Sequence, residues 1–417
     1  MKKNPILVFI IAGTLCAGLI GCSNTDKADR KTSSPSDINT KLAPTALPFP
    51  MPTLTSTKPT LTNKKFIPSK ENVKLLGRTY LLGDTLWMAY SATGIEFTFT
   101  GIRADITLVG DNIAIVGSAP DSFCRYGIYV NDKLVIDELL KAPKKTITVF
   151  KSDTEKAVTV RVIKLSESAN STLGIGKINV VTKGVIQPTT NKAHTIEFIG
   201  DSITCGFGVD ADDENSQFTT ATEDATKSYA YKTAIALDAN YSMVSLSGYG
   251  IISGYTDNGE INPGQILPPY YDKLGFSYGY FNSGIQASML SWDFTQFIPD
   301  LIVINLGTND SSYCGNDLVK QAAYTKGYIT FLKQIREKNP DATLLCTLGI
   351  MGDTLYPALE EAVTTYSAET GDTKVSSMKY DVQQASDGYG ASWHPSEITH
   401  TKAADKLTAE IKNIMGW

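Results

Sequence analysis

Hydrophobic and polar positions alternate with period two along much of the segment from about residue 70 to residue 183. Ile95, Phe97 and Phe99 alternate with Glu96, Thr98 and Thr100, and Ile106 and Leu108 repeat the pattern. Val158, Val160 and Val162 alternate with Thr159 and Arg161. Side chains on an extended strand point to opposite faces in turn, so this pattern predicts strands with one buried face. Asn131-Asp132, following Ile128-Tyr129-Val130, predicts a hairpin turn. Short alternating strands separated by turn signals predict a β-sandwich of the jelly-roll kind over residues 66–185.

From residue 195 the pattern changes to strand followed by helix. Apolar runs at 195–199, 241–247, 301–306 and 342–350 predict strands, with helical stretches such as Tyr229 to Leu237 and Leu318 to Glu337 between them. A last helix is predicted from Pro395 to Met415, with Pro395 in its first turn. The alternation predicts a parallel sheet with helices on both faces, a three-layer α/β/α domain over 194–417. Sites in such sheets lie beyond the C-terminal strand ends. Val185 to Ala193, with Pro188, reads as the linker between the two units.

The first 65 residues belong to neither unit. Lys2-Lys3 precede the apolar run Ile6 to Leu19, which is too short for a spanning helix and reads as a secretory leader, residues 1–21. Leu19-Ile20-Gly21-Cys22 resembles a bacterial lipobox, which implies cleavage before Cys22 and lipid attachment to its sulfur. Residues 22–65 are rich in Ser, Thr, Pro and Lys without an amphipathic period, so they predict a disordered tether. About 40 flexible residues reach on the order of 35 Å root-mean-square. The expected location is therefore the cell envelope, with the protein anchored to a membrane and working outside the cytoplasm.

Composition narrows the function classes further. With 417 residues, 42% hydrophobic and 19% charged, the chain has ample core for two folded units. The net charge of −5 becomes −7 once the leader and its two lysines are removed, which excludes the basic footprint of a nucleic-acid binder. Cys124, Cys205, Cys314 and Cys346 show no CxxC spacing, so neither a zinc site nor a thioredoxin-like motif is supported. A disulfide among them is permitted in an oxidising compartment, with connectivity open; Cys346, in an apolar run, reads as a buried free thiol.

The candidate chemistry begins at Gly200-Asp201-Ser202-Ile203-Thr204, directly after the apolar run at 195–199. A serine on a tight turn at a strand end can expose its hydroxyl as a nucleophile. Thr204 stands where the GxSxG elbow requires its second glycine, so that elbow is absent. Gly307-Thr308-Asn309-Asp310 follows another strand, and the Asn309 amide can donate to a developing oxyanion. Leu246-Ser247-Gly248-Tyr249-Gly250 follows a third, and the backbone N–H of Gly248, or of its rival Gly250, can reach a substrate without an intervening side chain. Of the three histidines, His394 precedes a proline, whereas His194 ends the linker and His400 is expected on the surface of the final helix. Asp201 is expected to cap its turn, and Asp310 to be structural.

These blocks resemble those of the SGNH (GDSL-type) hydrolases, which implies Ser202 as nucleophile and His394 as base. Ser202 and Gly248 would contribute backbone donors to an oxyanion hole, and Asn309 a side-chain donor. Such enzymes usually carry an aspartate three residues before the histidine, but position 391 is Ala391. The acid's task would pass to a backbone carbonyl, to Ser392 or to Asp387, and a backbone carbonyl is the expectation. The β-sandwich, Leu76-Gly77-Arg78-Thr79, Thr222-Glu223-Asp224, Ser228-Tyr229-Ala230 and Trp393-His394-Pro395-Ser396 together resemble carbohydrate esterase family 2 over about residues 74–415. That resemblance implies deacetylation of plant polysaccharides such as xylan and glucomannan, with 6-O-acetyl groups favoured and an acetyl-enzyme intermediate. It also suggests Trp393, and more weakly Tyr249, Tyr270 and Tyr271, as walls of the substrate cleft. No metal or organic cofactor is expected, and a monomer is. The alternatives are an SGNH lipid or thioester hydrolase and a non-catalytic, glycan-binding surface lipoprotein.

Overall fold

Two long strands, Gly94–Gly110 and Lys144–Lys164, organise the N-terminal half of the described chain. The computed structural model describes residues 59–116, 120–281 and 284–417; the leader, most of the tether and Cys22 lie outside them. The strand 94–110 shifts register at Gly101/Arg103 and again at Ala104/Asp105. Before the shift it is flanked by Lys74–Leu76 and Gln187–Pro188; after it, by Leu173–Thr182. Bulges bend a strand and increase its twist, and here they let one ten-stranded antiparallel sheet curl onto itself as a jelly-roll-like sandwich. Phe97, Ile106, Tyr126, Ile128, Val160, Val162 and Ile178 fill its interior and are fully buried. Asn131 and Asp132 turn the hairpin between Arg125–Val130 and Lys133–Leu139 with φ of 50° and 63°, as the sequence predicts.

The second sheet is wholly parallel, with strands ordered Ala239–Ser245, His194–Gly200, Leu301–Asn305, Thr343–Leu348, Val375–Lys379. Helices Tyr229–Ala236, Leu318–Lys338, Tyr356–Thr370 and Glu397–Met415 accompany it. The strand His194–Gly200 lies between the second and third strands in chain order, so chain direction diverges on its two sides. In open α/β sheets the crevice at that point receives ligands. The fifth strand was not expected: Val-Ser-Ser-Met-Lys at the sheet edge is only partly buried and carries no apolar run.

Four expectations are corrected. The end of the expected disordered tether is ordered: Thr62–Phe66 is a strand paired antiparallel with 178–182, so the sandwich begins before residue 66. The final helix starts at Glu397, with Ser396 as its N-cap accepting from the Thr399 N–H, so Pro395 lies before the first turn. His400 is fully buried, because it shares a face with Ala403, Ala404, Leu407 and Ile411. Its Nδ1 accepts from the Tyr229 N–H at 3.1 Å. His194 begins a strand instead of ending a linker and stacks on Trp417 at 4.1 Å.

Arg78 joins the two sheets. It is fully buried, its Nη1 donates to the Lys273 carbonyl at 2.9 Å, and its Nη2 meets the Glu197 carboxylate at 3.3 Å. Glu197 also accepts from Tyr271 Oη at 3.0 Å and Ser242 Oγ at 3.1 Å. A buried ion pair persists only with such additional partners, since desolvation of both charges is costly.

Candidate active site

Register aligns Gly200 with Ser245 on one side and Asn305 on the other. The loops leaving those three strand ends carry Ser202, Gly248 and Asn309. Gly200 permits the turn: a Cβ there would lie 2.0 Å from Thr204 Oγ1. Asp201 caps the short helix Ser202–Cys205 by accepting from the Ile203 N–H at 3.0 Å, as expected. Burial, with the nearby negative Asp310, pushes its carboxyl up to about 7.

Ser202 Oγ lies 2.8 Å from His394 Nε2. His394 Nδ1 lies 3.1 Å from the Ala391 carbonyl and 3.2 Å from that of Ser392. An N–H at Nδ1 therefore has two carbonyl acceptors, which leaves Nε2 free to accept from serine. Asp387 is elsewhere: its carboxylate pairs with Lys402 Nζ at 2.7 and 2.8 Å. Ser392 and Trp393 both have positive φ, 53° and 64°. Phe207 leans on the imidazole at 4.2 Å between ring centroids, and Phe218 stacks behind Phe207 at 3.9 Å. Burial lowers the His394 pKa to about 4, against the opposing pull of the two carbonyls.

The cleft above Ser202 encloses about 650 Å³ and is lined by Phe207, Gly248, Tyr255, Asn309, Met351 and His394, among others. The backbone N–H groups of Ser202 and Gly248 meet no protein acceptor among the described residues. Asn309 Nδ2 donates to the Tyr249 carbonyl at 2.8 Å and, over a longer 3.5 Å, to Asp201 Oδ2, which orients the amide at the cleft wall. Asp310 is structural, as expected: its carboxylate accepts from the N–H groups of Ile251, Ile252 and Ser253 at 2.9, 2.8 and 3.1 Å. It thereby ties the loop after Gly248 to the helix bearing Asn309.

The aromatic expectations divide. Trp393 is 54% exposed beside His394 and packs on Tyr389 at 5.1 Å between ring centroids, but it is not among the residues that line the cleft. Tyr249 contributes its carbonyl, not its ring: the side chain is buried against Tyr270 and Phe276 and does not line the cleft. Tyr271 is likewise buried, its hydroxyl on Glu197. Phe207, Tyr255 and Met351 were not singled out, because they reach the cleft from loops without a local motif. Cys124, Cys205, Cys314 and Cys346 are all buried free thiols.

Residues 75–189 match the family model for the carbohydrate esterase 2 N-terminal domain, and residues 198–401 match the GDSL-like Lipase/Acylhydrolase family. The chain belongs to carbohydrate esterase family 2. The cellulase/esterase CelE of Acetivibrio thermocellus is 37% identical over 226 residues, 53% of this chain and 26% of that protein. An acetylxylan esterase/glucomannan deacetylase of Cellvibrio japonicus is 24% identical over 353 residues, 84% of this chain and 90% of that one. A family two carbohydrate esterase from Clostridium thermocellum, solved in complex with cellohexaose, is 27% identical with a TM-score of 0.70, covering 83% of this chain and 99% of that one. The chain thus spans about a quarter of CelE. A serine–histidine pair beside three potential oxyanion donors, in a family 2 esterase frame, is the constellation of a carboxylic ester hydrolase.

Proposed function

We propose that this chain is a serine esterase that removes O-acetyl groups from plant polysaccharides or their oligosaccharides, xylan and glucomannan among them, with 6-O-acetyl groups favoured. The observation that carries the reading is the 2.8 Å contact between Ser202 Oγ and His394 Nε2 beneath the cleft. His394 Nε2 takes the Ser202 proton as Oγ attacks the acetyl carbonyl. The oxyanion is stabilised by the N–H groups of Ser202 and Gly248 and by the Asn309 amide, donors fixed before charge develops. The imidazolium then returns its proton to the departing sugar oxygen. Water, deprotonated by the same histidine, releases acetate from Ser202. The exposed Trp393 offers a face to a sugar ring.

The leader and Cys22 support an extracytoplasmic, membrane-anchored location. Detergent-phase partitioning that is lost in Cys22→Ala tests it, and partitioning unchanged by that substitution would remove the anchor from the proposal. The function itself is tested by acetate release from acetylated glucomannan and acetylated xylan, with Ser202→Ala as control. Release by the wild type alone is expected. Faster hydrolysis of p-nitrophenyl octanoate than of the acetate would favour a lipid hydrolase instead, and no hydrolysis by folded protein would favour a glycan binder.

A further inference from the structure

The sandwich reaches into the hydrolase half through a loop that is buried instead of exposed. Leu165, Ser166, Glu167 and Ser168 follow the strand Lys144–Lys164, and each is at most 2% exposed. Loops usually run over the surface, since buried backbone must find partners. This one finds them across the domain junction. The Leu165 carbonyl accepts from the Ala225 N–H at 2.9 Å, and the Glu167 N–H donates to Glu223 Oε2 at 2.8 Å. Lys164 Nζ donates to the Glu167 carbonyl at 2.7 Å. The Glu167 side chain then turns toward the site, where its Oε2 accepts from the Ser247 N–H at 2.9 Å. Ser247 immediately precedes Gly248.

We propose that Glu167, supplied by the sandwich, is a positioning residue that sets the orientation of the Gly248 N–H in the oxyanion hole. This rests on reading Ser202, Gly248 and Asn309 as the acyl-transfer site. Burial raises the Glu167 carboxyl above its ordinary range, and its Oε2 accepts the Ser247 N–H in either protonation state. That bond fixes the peptide one residue before the donor. Tyr255, whose N–H donates to the Gly248 carbonyl at 2.9 Å, fixes the peptide after it. The Gly248 N–H is thus held on both sides without being consumed. Glu223, fully buried, holds the Glu167 backbone and so acts one step further back.

The test compares Glu167→Ala and Glu167→Gln by kcat and KM on p-nitrophenyl acetate, thermal unfolding, and amide hydrogen exchange over residues 246–250. Glu167→Ala is expected to lose about 10- to 100-fold in kcat, somewhat less than loss of a whole oxyanion donor, with KM within about twofold. Glu167→Gln, whose amide oxygen can still accept from Ser247, is expected within about threefold of wild type. Combining Glu167→Ala with Asn309→Ala should cost less than the product of the two, as for residues acting through one hole. Exchange over 246–250 should rise in Glu167→Ala alone. A folded Glu167→Ala with wild-type kcat, equal impairment of both variants, or unchanged exchange at 246–250 would each overturn the proposal. If the wild type hydrolyses no acetyl ester, the esterase reading fails, while the exchange measurement still decides whether Glu167 fixes this turn.

Discussion

The most discriminating substitution is Asp387→Asn. Asp387 is the first carboxylate upstream of His394, so it would serve as triad acid if a folded loop brought it to Nδ1. In a serine protease triad, replacing the acid by its amide lowers kcat by about 10⁴. Here His394 Nδ1 faces the carbonyls of Ala391 and Ser392 at 3.1 and 3.2 Å, and Asp387 faces Lys402. Lys402 is 64% exposed on its side chain, so that ion pair lies at the solvent edge and contributes about 0–1 kcal/mol. The Asp387 carbonyl accepts from Ser396 Oγ at 2.7 Å whatever the side chain, so the loop keeps its anchor. With about 1.4 kcal/mol per tenfold, a remote change of under 0.7 kcal/mol corresponds to roughly threefold or less. Asp387→Asn should therefore retain kcat/KM for p-nitrophenyl acetate to within about threefold, while Ser202→Ala abolishes it. A loss beyond about a hundredfold, with the unfolding temperature intact, would refute the carbonyl-oriented dyad.

Three further outcomes follow from the same geometry. Ala391→Asp should not complete a triad: Ala391 is fully buried, and a Cβ built on Gly208 would lie 2.5 Å from its methyl group. The variant should lose about 3 kcal/mol or more of stability in urea unfolding; a stable variant with raised kcat would contradict this. His394 must be neutral to accept the Ser202 proton, and burial lowers its pKa to about 4 from an ordinary 6.5, so kcat/KM should be flat through pH 6.5 and fall only on approaching 4. The same shift makes stability fall with decreasing pH from about 6.5 downward, because the unfolded histidine binds the proton first. A kinetic limb at 6.5 would show the imidazole to be solvated. Arg78→Ala should cost about 3–5 kcal/mol, because it strands the Glu197 carboxylate, which is 2% exposed, in the junction between the sheets. Denaturant unfolding measures this, and a loss below about 1 kcal/mol would show that the Tyr271 and Ser242 hydroxyls suffice to hold Glu197 without Arg78.

Legibility in the sequence followed locality. Ser202, Gly248, Asn309 and His394 each sit in a short motif at the end of an apolar run or before a helix, and these four residues converge on the cleft. The period-two pattern likewise located the sandwich strands, because one face of each is buried and the other is not. What escaped has a non-local cause. The strand Val375–Lys379 is an edge with polar residues, so its hydrogen bonds, not its pattern, define it. Tyr249 stands beside Gly248 in sequence, yet the turn sends its ring into the core and leaves only its carbonyl at the site. Glu167 lies 80 residues from Ser247, and nothing in its neighbours marks it out. His400 was recoverable: Ala403, Ala404, Leu407 and Ile411 follow it at helical spacing, and that apolar face predicts burial.

The absent aspartate and the backbone strain before His394 are two aspects of one arrangement. Non-glycine residues in the left-handed region cost roughly 1–2 kcal/mol each, and Ser392 and Trp393 adopt it in succession. Surrounding bonds hold them there: the Ala391 N–H donates to the Gly208 carbonyl at 3.0 Å, the Gly390 N–H to the His394 carbonyl at 2.8 Å, and Gln383 Nε2 to the Trp393 carbonyl at 2.9 Å. In this turn the carbonyls of Ala391 and Ser392 both reach Nδ1. A carbonyl can fix the tautomer and the ring plane as a carboxylate does, but it cannot neutralise the imidazolium that forms in the transition state. In the proposed mechanism the oxyanion is then the counter-charge nearest the imidazolium, so the placement of the proposed donors Ser202, Gly248 and Asn309 bears directly on the barrier. That dependence is why a residue as distant as Glu167, acting only by holding the Gly248 turn, can be expected to show in kcat.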